Sequence, residues 1–305
     1  MRVLVTGPGG FIGKAFLKHL LEREPDTDVY AVTSKDVRGL ESPGKISIIN
    51  YRLESLDELN LGETEFDRVF HIGAFIPKAA KNSNQISGAM SNIDFTGRLL
   101  QQLDCKCRKF VFLSTVDVYG ITESQIGETS SIQPVSLYGH SKLFCEALVQ
   151  AWALEQSTVC QILRIGHIYG PGEEQYQKLI PLTIMKALRH EAPEQWGSGT
   201  EKRSFLHIDD CVNAIYQAGE LNTSEGIINV ASGNPQSVRE IIWLITELSM
   251  CATQPVIRDS NSVARNIVFN TEKMHALLGK EKIPIRQGLL EEIAYLRKKS
   301  GYTQQ

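Results

Sequence analysis

The sequence lacks the features that would place it in a membrane, on a nucleic acid or around a structural metal. No apolar run approaches the roughly eighteen residues that a helical membrane span needs. Its 32 Lys and Arg are offset by 35 Asp and Glu, and the formal net charge of -3 leaves no basic footprint for nucleic acid. Cysteine is sparse. Of Cys105, Cys107, Cys145, Cys160, Cys211 and Cys251 only the first two lie close together, and no histidine or second pair completes a zinc spacing. Neither a metal nor a disulfide framework is expected, and the six read as reduced thiols, most of them buried. There is no internal repeat and no low-complexity linker. The first residues, Met1 to Gly7, enter a strand pattern directly instead of a secretory leader, so cytoplasmic residence is the expectation. What is present is a globular balance, 42% hydrophobic and 22% charged over 305 residues, enough for one large or two modest domains.

Short β-branched runs alternate with helical periodicity through the first two thirds. Strands are expected at Arg2 to Thr6, Asp28 to Thr33, Lys45 to Asn50, Arg68 to Ile72, Lys109 to Ser114 and Val159 to Ile165. Helices are expected at Phe11 to Arg23, Ile86 to Leu103 and Ser136 to Glu155. This rhythm predicts an α/β fold, a doubly wound, Rossmann-like parallel sheet covered on both faces. After about Arg164 the rhythm breaks at the turn Gly170-Pro171-Gly172. Helices at Lys178 to His190, Ile208 to Leu221 and Val238 to Ser249, strands at Arg203 to His207 and Gly226 to Val230, and two helices within Thr271 to Lys299 follow.

Two patterns carry chemistry. Thr6-Gly7-Pro8-Gly9-Gly10-Phe11-Ile12-Gly13 sits between a strand and a helix, where Gly7 permits a tight turn, Gly10 admits a cofactor pyrophosphate and Gly13 lets the helix pack on the strand. The helix start then offers unpaired N–H groups to phosphates. Tyr138 and Lys142, four residues apart, share one helix face. A fixed ammonium one turn away favours the phenolate and would bring a tyrosine toward useful acid/base range. Residues 1–165 therefore read as a dinucleotide-binding domain with sheet additions near 203–230. Residues 166–305 read as a smaller, interleaved, mainly substrate-binding region.

The Gly-x-x-Gly-x-x-Gly loop with Tyr138 and Lys142 resembles the short-chain dehydrogenase/reductase superfamily, specifically its extended branch of sugar-nucleotide epimerases, dehydratases and reductases. Further segments carry the likeness over nearly the whole chain: His71-Ile72-Gly73-Ala74, Asn92 to Gly97, Ser114-Thr115-Val116-Asp117-Val118-Tyr119-Gly120, Leu163-Arg164, Tyr169 to Gly172, Arg203 to Asp210, Asn229 and Gly233. The resemblance implies that Thr115, Tyr138 and Lys142 form a hydride-transfer site, with Ser114 the substitute if the register is off by one. It implies NAD(P) contacts from Gly7, Gly10, Phe11, Ile12, Gly13, Ile72, Gly73, Ala74, Asn92, Ser114, Tyr138 and Lys142. It also implies substrate contacts from Thr115, Asp117, His167 and Arg203. His167, where relatives have Asn, reads equally as a substrate contact or a satisfied strand-end residue. Arg203 matches a diphosphate-gripping arginine or is a surface residue, and Asp209 and Asp210 read as helix caps.

At the end of the second strand Thr33 stands where NAD-binding relatives usually have Asp, and Ser34, Lys35 and Arg38 follow. Hydroxyl and basic side chains suit a 2′-phosphate, so NADP is favoured slightly over NAD. Dehydratases of this branch place an Asp-Glu pair after the threonine. Here Val116 cannot donate a proton, which disfavours dehydration. Proton and hydride exchange at one sugar carbon, C4 on the family pattern, remains the expectation, as a 4-epimerase or an NADPH-dependent 4-ketoreductase. The alternative of another class is a non-catalytic dinucleotide-binding redox sensor or scaffold. A sugar-nucleotide substrate and a homodimer through the helices at Ile86 to Leu103 and Ser136 to Glu155 follow from resemblance alone.

Overall fold

Period-two alternation decides which way each strand side chain faces. In the first strand, β1 (Arg2–Thr6), Val3 and Val5 enter one core and Leu4 the other. The computed structural model describes residues 1–33, 46–50, 60–120, 125–260 and 265–301. After β1 come α1 (Phe11–Arg23), β2 (Asp28–Thr33), β3 (Ile46–Asn50), β4 (Phe66–His71), α2 (Ile86–Gln102), β5 (Cys107–Thr115), α3 (Leu137–Glu155) and β6 (Val159–Ile165). Shorter pieces follow: β7 (His167–Tyr169), α4 (Leu179–Leu188), β8 (Glu194–Trp196), β9 (Lys202–Arg203), β10 (Phe205–His207) and α5 (Ile208–Glu220). The chain continues through β11 (Gly226–Val230), β12 (Gln236–Ser237), α6 (Val238–Leu248), β13 (Val256–Arg258), α7 (Glu272–Leu277) and α8 (Ile285–Ser300).

Seven strands form one parallel sheet in the order β11-β6-β5-β4-β1-β2-β3. A parallel sheet needs helices on both faces, and it has them. Helices α1 and α5 cover the face of Val3, Val111 and Leu163, while α2 and α3 cover the face of Leu4, Phe110 and Ile162. Tyr169, Ile180, Ile184, Ile241, Ile245, Leu289 and Ile293 build a separate core among α4, α6 and α8.

Strand order reverses between β1 and β4, and ligands of open α/β sheets bind beyond the carboxyl ends of strands at such a point. A buried chain of hydrogen bonds ties the two ends together. The Gly73 N–H donates to Thr6 Oγ1 at 2.9 Å, and Thr6 Oγ1 lies 2.8 Å from His71 Nδ1. The other ring nitrogen, His71 Nε2, lies 3.0 Å from Thr96 Oγ1 on α2, so both nitrogens are paired with hydroxyls. Burial, with Lys142 adding to it, holds the His71 ring well below its usual pKa, so it serves this chain as a neutral imidazole.

The strand expected over residues 203–207 is split. At Ser204 the backbone N–H turns to Ile267 O (3.3 Å), so β9 pairs with β12 and β10 with β7. Neither joins the large sheet; of the 203–230 stretch only β11 does, beside β6. No helix among the described residues is long and apolar enough to cross a membrane.

Candidate active site

The glycine loop is shaped by two backbone approaches. Gly7 has φ +68°, and a Cβ there would lie 2.4 Å from Gly73 Cα, so the loops after β1 and β4 touch backbone to backbone. A Cβ on Gly13 would lie 2.0 Å from Gly7 O and 2.9 Å from Pro8 Cα. Gly13 therefore seats α1 on the loop itself, where sequence reasoning had it packing on the strand. Above Gly10 a Cβ would meet only Gly7 O, at 3.4 Å. The helix opens there with no side-chain cap and no acid in its first turn, which leaves N–H groups and a positive dipole end for a phosphate. That cradle fits a dinucleotide pyrophosphate. The side chains of Phe11 and Ile12 go into the core, so what they offer a cofactor is backbone.

Thr33 ends β2 and is buried, whereas Ser34, Lys35 and Arg38 lie outside the described residues. Ile72 is core, and Gly73 and Ala74 continue the loop against Gly7. Asn92 on α2 spends its amide on protein: Oδ1 accepts from Phe75 N (2.7 Å), and Nδ2 donates to Phe75 O and to Ser141 Oγ (both 3.2 Å). It braces the loop after β4 against the start of α3.

The Ser136 hydroxyl caps α3 by accepting from Gly139 N at 3.1 Å, and Tyr138 N–H donates to Ser83 O at 3.0 Å. Tyr138 and Lys142 then fall one turn apart, both buried. Thr115 at the end of β5 is near enough to the Tyr138 phenol to favour its ionised form, and Thr115 Oγ1 accepts from Asp117 N at 3.2 Å. Ser114 is engaged elsewhere, donating to Glu146 Oε1 at 2.5 Å. Thr115 is therefore the strand-end hydroxyl in register with the tyrosine.

Electrostatics differ from the sequence-based expectation of a phenolate stabilised by a nearby ammonium. Burial, reinforced by the Asp117 carboxylate, pushes the Tyr138 phenol above its usual range, and Thr115 opposes this. Burial also lowers Lys142 to about 8, against the pull of Cys145 and Glu146. Its ammonium lies 4.1 Å over the Phe112 ring. Desolvation disfavours the charged form of each group, so the chain by itself holds the phenol protonated.

On the other side of Thr115 stands a polar set from the later part of the chain. Asp117 is solvent-exposed, yet the surrounding protein raises its carboxyl pKa, with Lys178 opposing. His167 on β7 is held at about 4 by burial first, then by Arg203 and Lys178, and its Nδ1 has no hydrogen-bond partner. An unpartnered neutral imidazole with two cations acting on it has the chemistry to receive an anion. Arg203 Nη1 donates to Lys202 O (2.9 Å) and Arg265 O (2.5 Å). Sequence reasoning missed Lys178, which lies 3.4 Å from the buried Glu173 carboxylate and 3.3 Å from Ile168 O. No spacing pointed to it, because fold alone brings the start of α4 to β7.

Two other groupings do not compete. Among the described residues His207, Asp209 and Glu291 place ligand-type atoms within 4.8 Å of one another. The two ring nitrogens, however, face different carboxylates, Nδ1 3.9 Å from Asp209 and Nε2 3.6 Å from Glu291, around the capped start of α5. A polar depression lined by Met1, Arg2, Asp28 and Asp67 lies at the amino edge of the sheet, opposite the switch point.

The strand-loop-helix cradle with a Thr, Tyr and Lys set at the carboxyl edge has a counterpart among known proteins. The NAD dependent epimerase/dehydratase family pattern matches residues 3–231. The chain belongs to this family. It is similar to the uncharacterized UDP-glucose epimerase YtcB of Bacillus subtilis, 27% identical over 97% of this chain and 98% of that one. Among solved structures it resembles a UDP-glucose 4-epimerase of Thermotoga maritima bound to UDP-glucose, with TM-score 0.85, 25% identity and coverage of 98% and 100%. It also resembles MoeE5 in complex with UDP-glucose and NAD, with TM-score 0.84, 26% identity and the same coverage. Membership of the epimerase/dehydratase family makes this chain a dinucleotide-dependent enzyme of the extended short-chain dehydrogenase type.

Proposed function

We propose that the protein catalyses reversible oxidation and reduction at one carbon of a sugar nucleotide, with C4 the carbon concerned. The observation that carries this reading is the convergence of a buried Tyr138, a buried Lys142 one helical turn away and Thr115 at the carboxyl end of β5, close to the glycine-loop cradle. When bound, the nicotinamide supplies the hydride donor or acceptor. Tyr138 moves the proton on the reacting oxygen, Thr115 holds that oxygen by a hydrogen bond, and Lys142 holds the nicotinamide ribose. Lys178 and Arg203 meet the diphosphate at the seat left open by His167, and Asp117 contacts the sugar. Val116 adds no acid beside Tyr138, which argues against eliminating water.

Two forms of this chemistry fit, a 4-epimerase and an NADPH-dependent 4-ketoreductase. Thr33, a hydroxyl at the end of β2 rather than a carboxylate, supports NADP over NAD and with it the reductase. Denaturing the purified protein and scanning the supernatant separates the forms. Stoichiometric NAD released from the protein would rule out the reductase; net NADPH oxidation with a 4-keto sugar nucleotide would establish it. A panel of UDP-, dTDP-, GDP- and CDP-sugars, with and without a 4-keto group, identifies the substrate. Absence of turnover across the whole panel would favour the sensor or scaffold reading.

The assembly we propose is a homodimer through α2 and α3. Ile86, Met90, Phe144 and Leu154 are 71%, 51%, 52% and 84% exposed there, an apolar face of the kind that marks an interface. Light scattering after size exclusion should give about twice the chain mass, with Phe144→Glu shifting it to the monomer. A monomeric wild type would end the dimer reading.

A further inference from the structure

One helical turn beyond Lys142, α3 carries Glu146, an acid only 3% exposed and without a role in the chemistry above. Its carboxylate is heavily engaged. Oε1 accepts from Ser114 Oγ at 2.5 Å and from Arg164 Nε at 2.9 Å, while Oε2 accepts from Arg164 Nη2 at 2.7 Å. Ser114 precedes Thr115 on β5. Arg164 lies on β6, 2% exposed, with its guanidinium 4.6 Å over the Tyr119 ring. One carboxylate therefore joins the helix of Tyr138 and Lys142 to the strand that ends in Thr115.

A buried ion pair is a costly way to dock a helix, since well-packed apolar side chains do so as well or better. The neighbourhood of Lys142 supplies a further reason for this one. Lys142 faces Phe112 from β5, His71 from β4, and Tyr138, Cys145 and Glu146 from its own helix. Burial lowers the pKa of His71 and raises that of Cys145, which leaves Glu146, ion-paired to Arg164 and one helical turn from Lys142, as the carboxylate of that set. We infer that Glu146 is a positioning residue: through its bonds to Ser114 and Arg164 it fixes the helix turn of Lys142 and Tyr138 against Thr115 and sets the field that Lys142 meets one turn away. This rests on the reading of Lys142 as the group that holds the dinucleotide.

Removing the Glu146 charge takes away one of the two groups, with Cys145, that offset the desolvation of Lys142, which already brings it to about 8. The experiment is a titration of NAD and NADP affinity between about pH 6 and 9.5 on the full chain, alongside circular dichroism and melting. Wild type should lose affinity as pH rises through about 8. Lys142→Met should abolish that step. Glu146→Gln should move it down by about one pH unit or more, and Glu146→Asp should bring it part of the way back. If Glu146→Gln fails to fold because Arg164 is left buried and unpaired, Arg164→Met and Glu146→Gln/Arg164→Met are compared instead; they differ only in the Glu146 charge, and the double variant should titrate at the lower pH. A folded Glu146 variant with the wild-type midpoint overturns the inference and leaves Glu146 a structural brace. A Lys142→Met profile identical to wild type instead overturns the role given to Lys142, and the inference falls with it.

Discussion

Tyr138→Phe binds the dinucleotide with wild-type affinity and loses turnover by about 10²–10⁴-fold, the range for a positioned acid or base. The ring stays where α3 and the loop at Ser83 hold it, because the backbone bond to Ser83 O and the Ser136 cap do not involve the phenol. What is lost is the phenolic proton, which burial keeps on Tyr138 at neutral pH. That protonation state matches reduction directly: a carbonyl carbon taking a hydride needs a proton on its oxygen, and Tyr138 has it. In the reverse direction the phenolate must form, and positive charge on a bound oxidised nicotinamide acts in its favour. Dinucleotide titration and steady-state turnover on the substrate found by the panel test both halves. Turnover within a few-fold of wild type would remove Tyr138 from its role.

Gly13→Ala acts on the opposite half of the site and should abolish most dinucleotide affinity. The new Cβ would stand 2.0 Å from Gly7 O and 2.8 Å from Gly7 C, and both atoms are backbone with no rotamer to yield. Either α1 moves off the loop or the loop opens, and each moves the helix start away from the phosphates. The cost in stability should be about 1–3 kcal/mol, as for an overpacked core. A shift of that size carried into the cradle corresponds to about a ten- to hundredfold loss of affinity. Gly10→Ala is the control: its Cβ meets only Gly7 O at 3.4 Å, so stability should hold. Urea melts and dinucleotide titration of both variants check this. Equal affinities for wild type and Gly13→Ala would show that the loop does not form the cradle.

The first half of the fold was legible because its determinants are local. β1, β2, β6 and α1 have the bounds their residue patterns imply, since an apolar run closed by a glycine loop leaves few alternatives. The expected strand at Lys109 to Ser114 extends to Cys107 and Thr115, because the partner strands offer backbone groups beyond the apolar run. Residues 203–207 misled because alternation there suggests one strand. The break comes from a long-range bond, Ser204 N to Ile267 O. Lys178 could not be found from spacing for a similar reason: its neighbours His167, Asp117 and Glu173 come from β7, the turn after β5 and the loop before α4.

Tyr138 and Lys142 show the division most clearly. Their helical spacing, the glycine loop and Thr115 were readable from the chain alone, because side-chain direction on helices and strands follows from backbone geometry. So was the absence of an acid at Val116. Whether the pair is charged was not readable, for desolvation depends on everything packed around a group and spacing carries no information about it. Tertiary structure buried both residues, set Asp117 near the phenol and Glu146 one turn from the lysine, and so decided that the phenol keeps its proton.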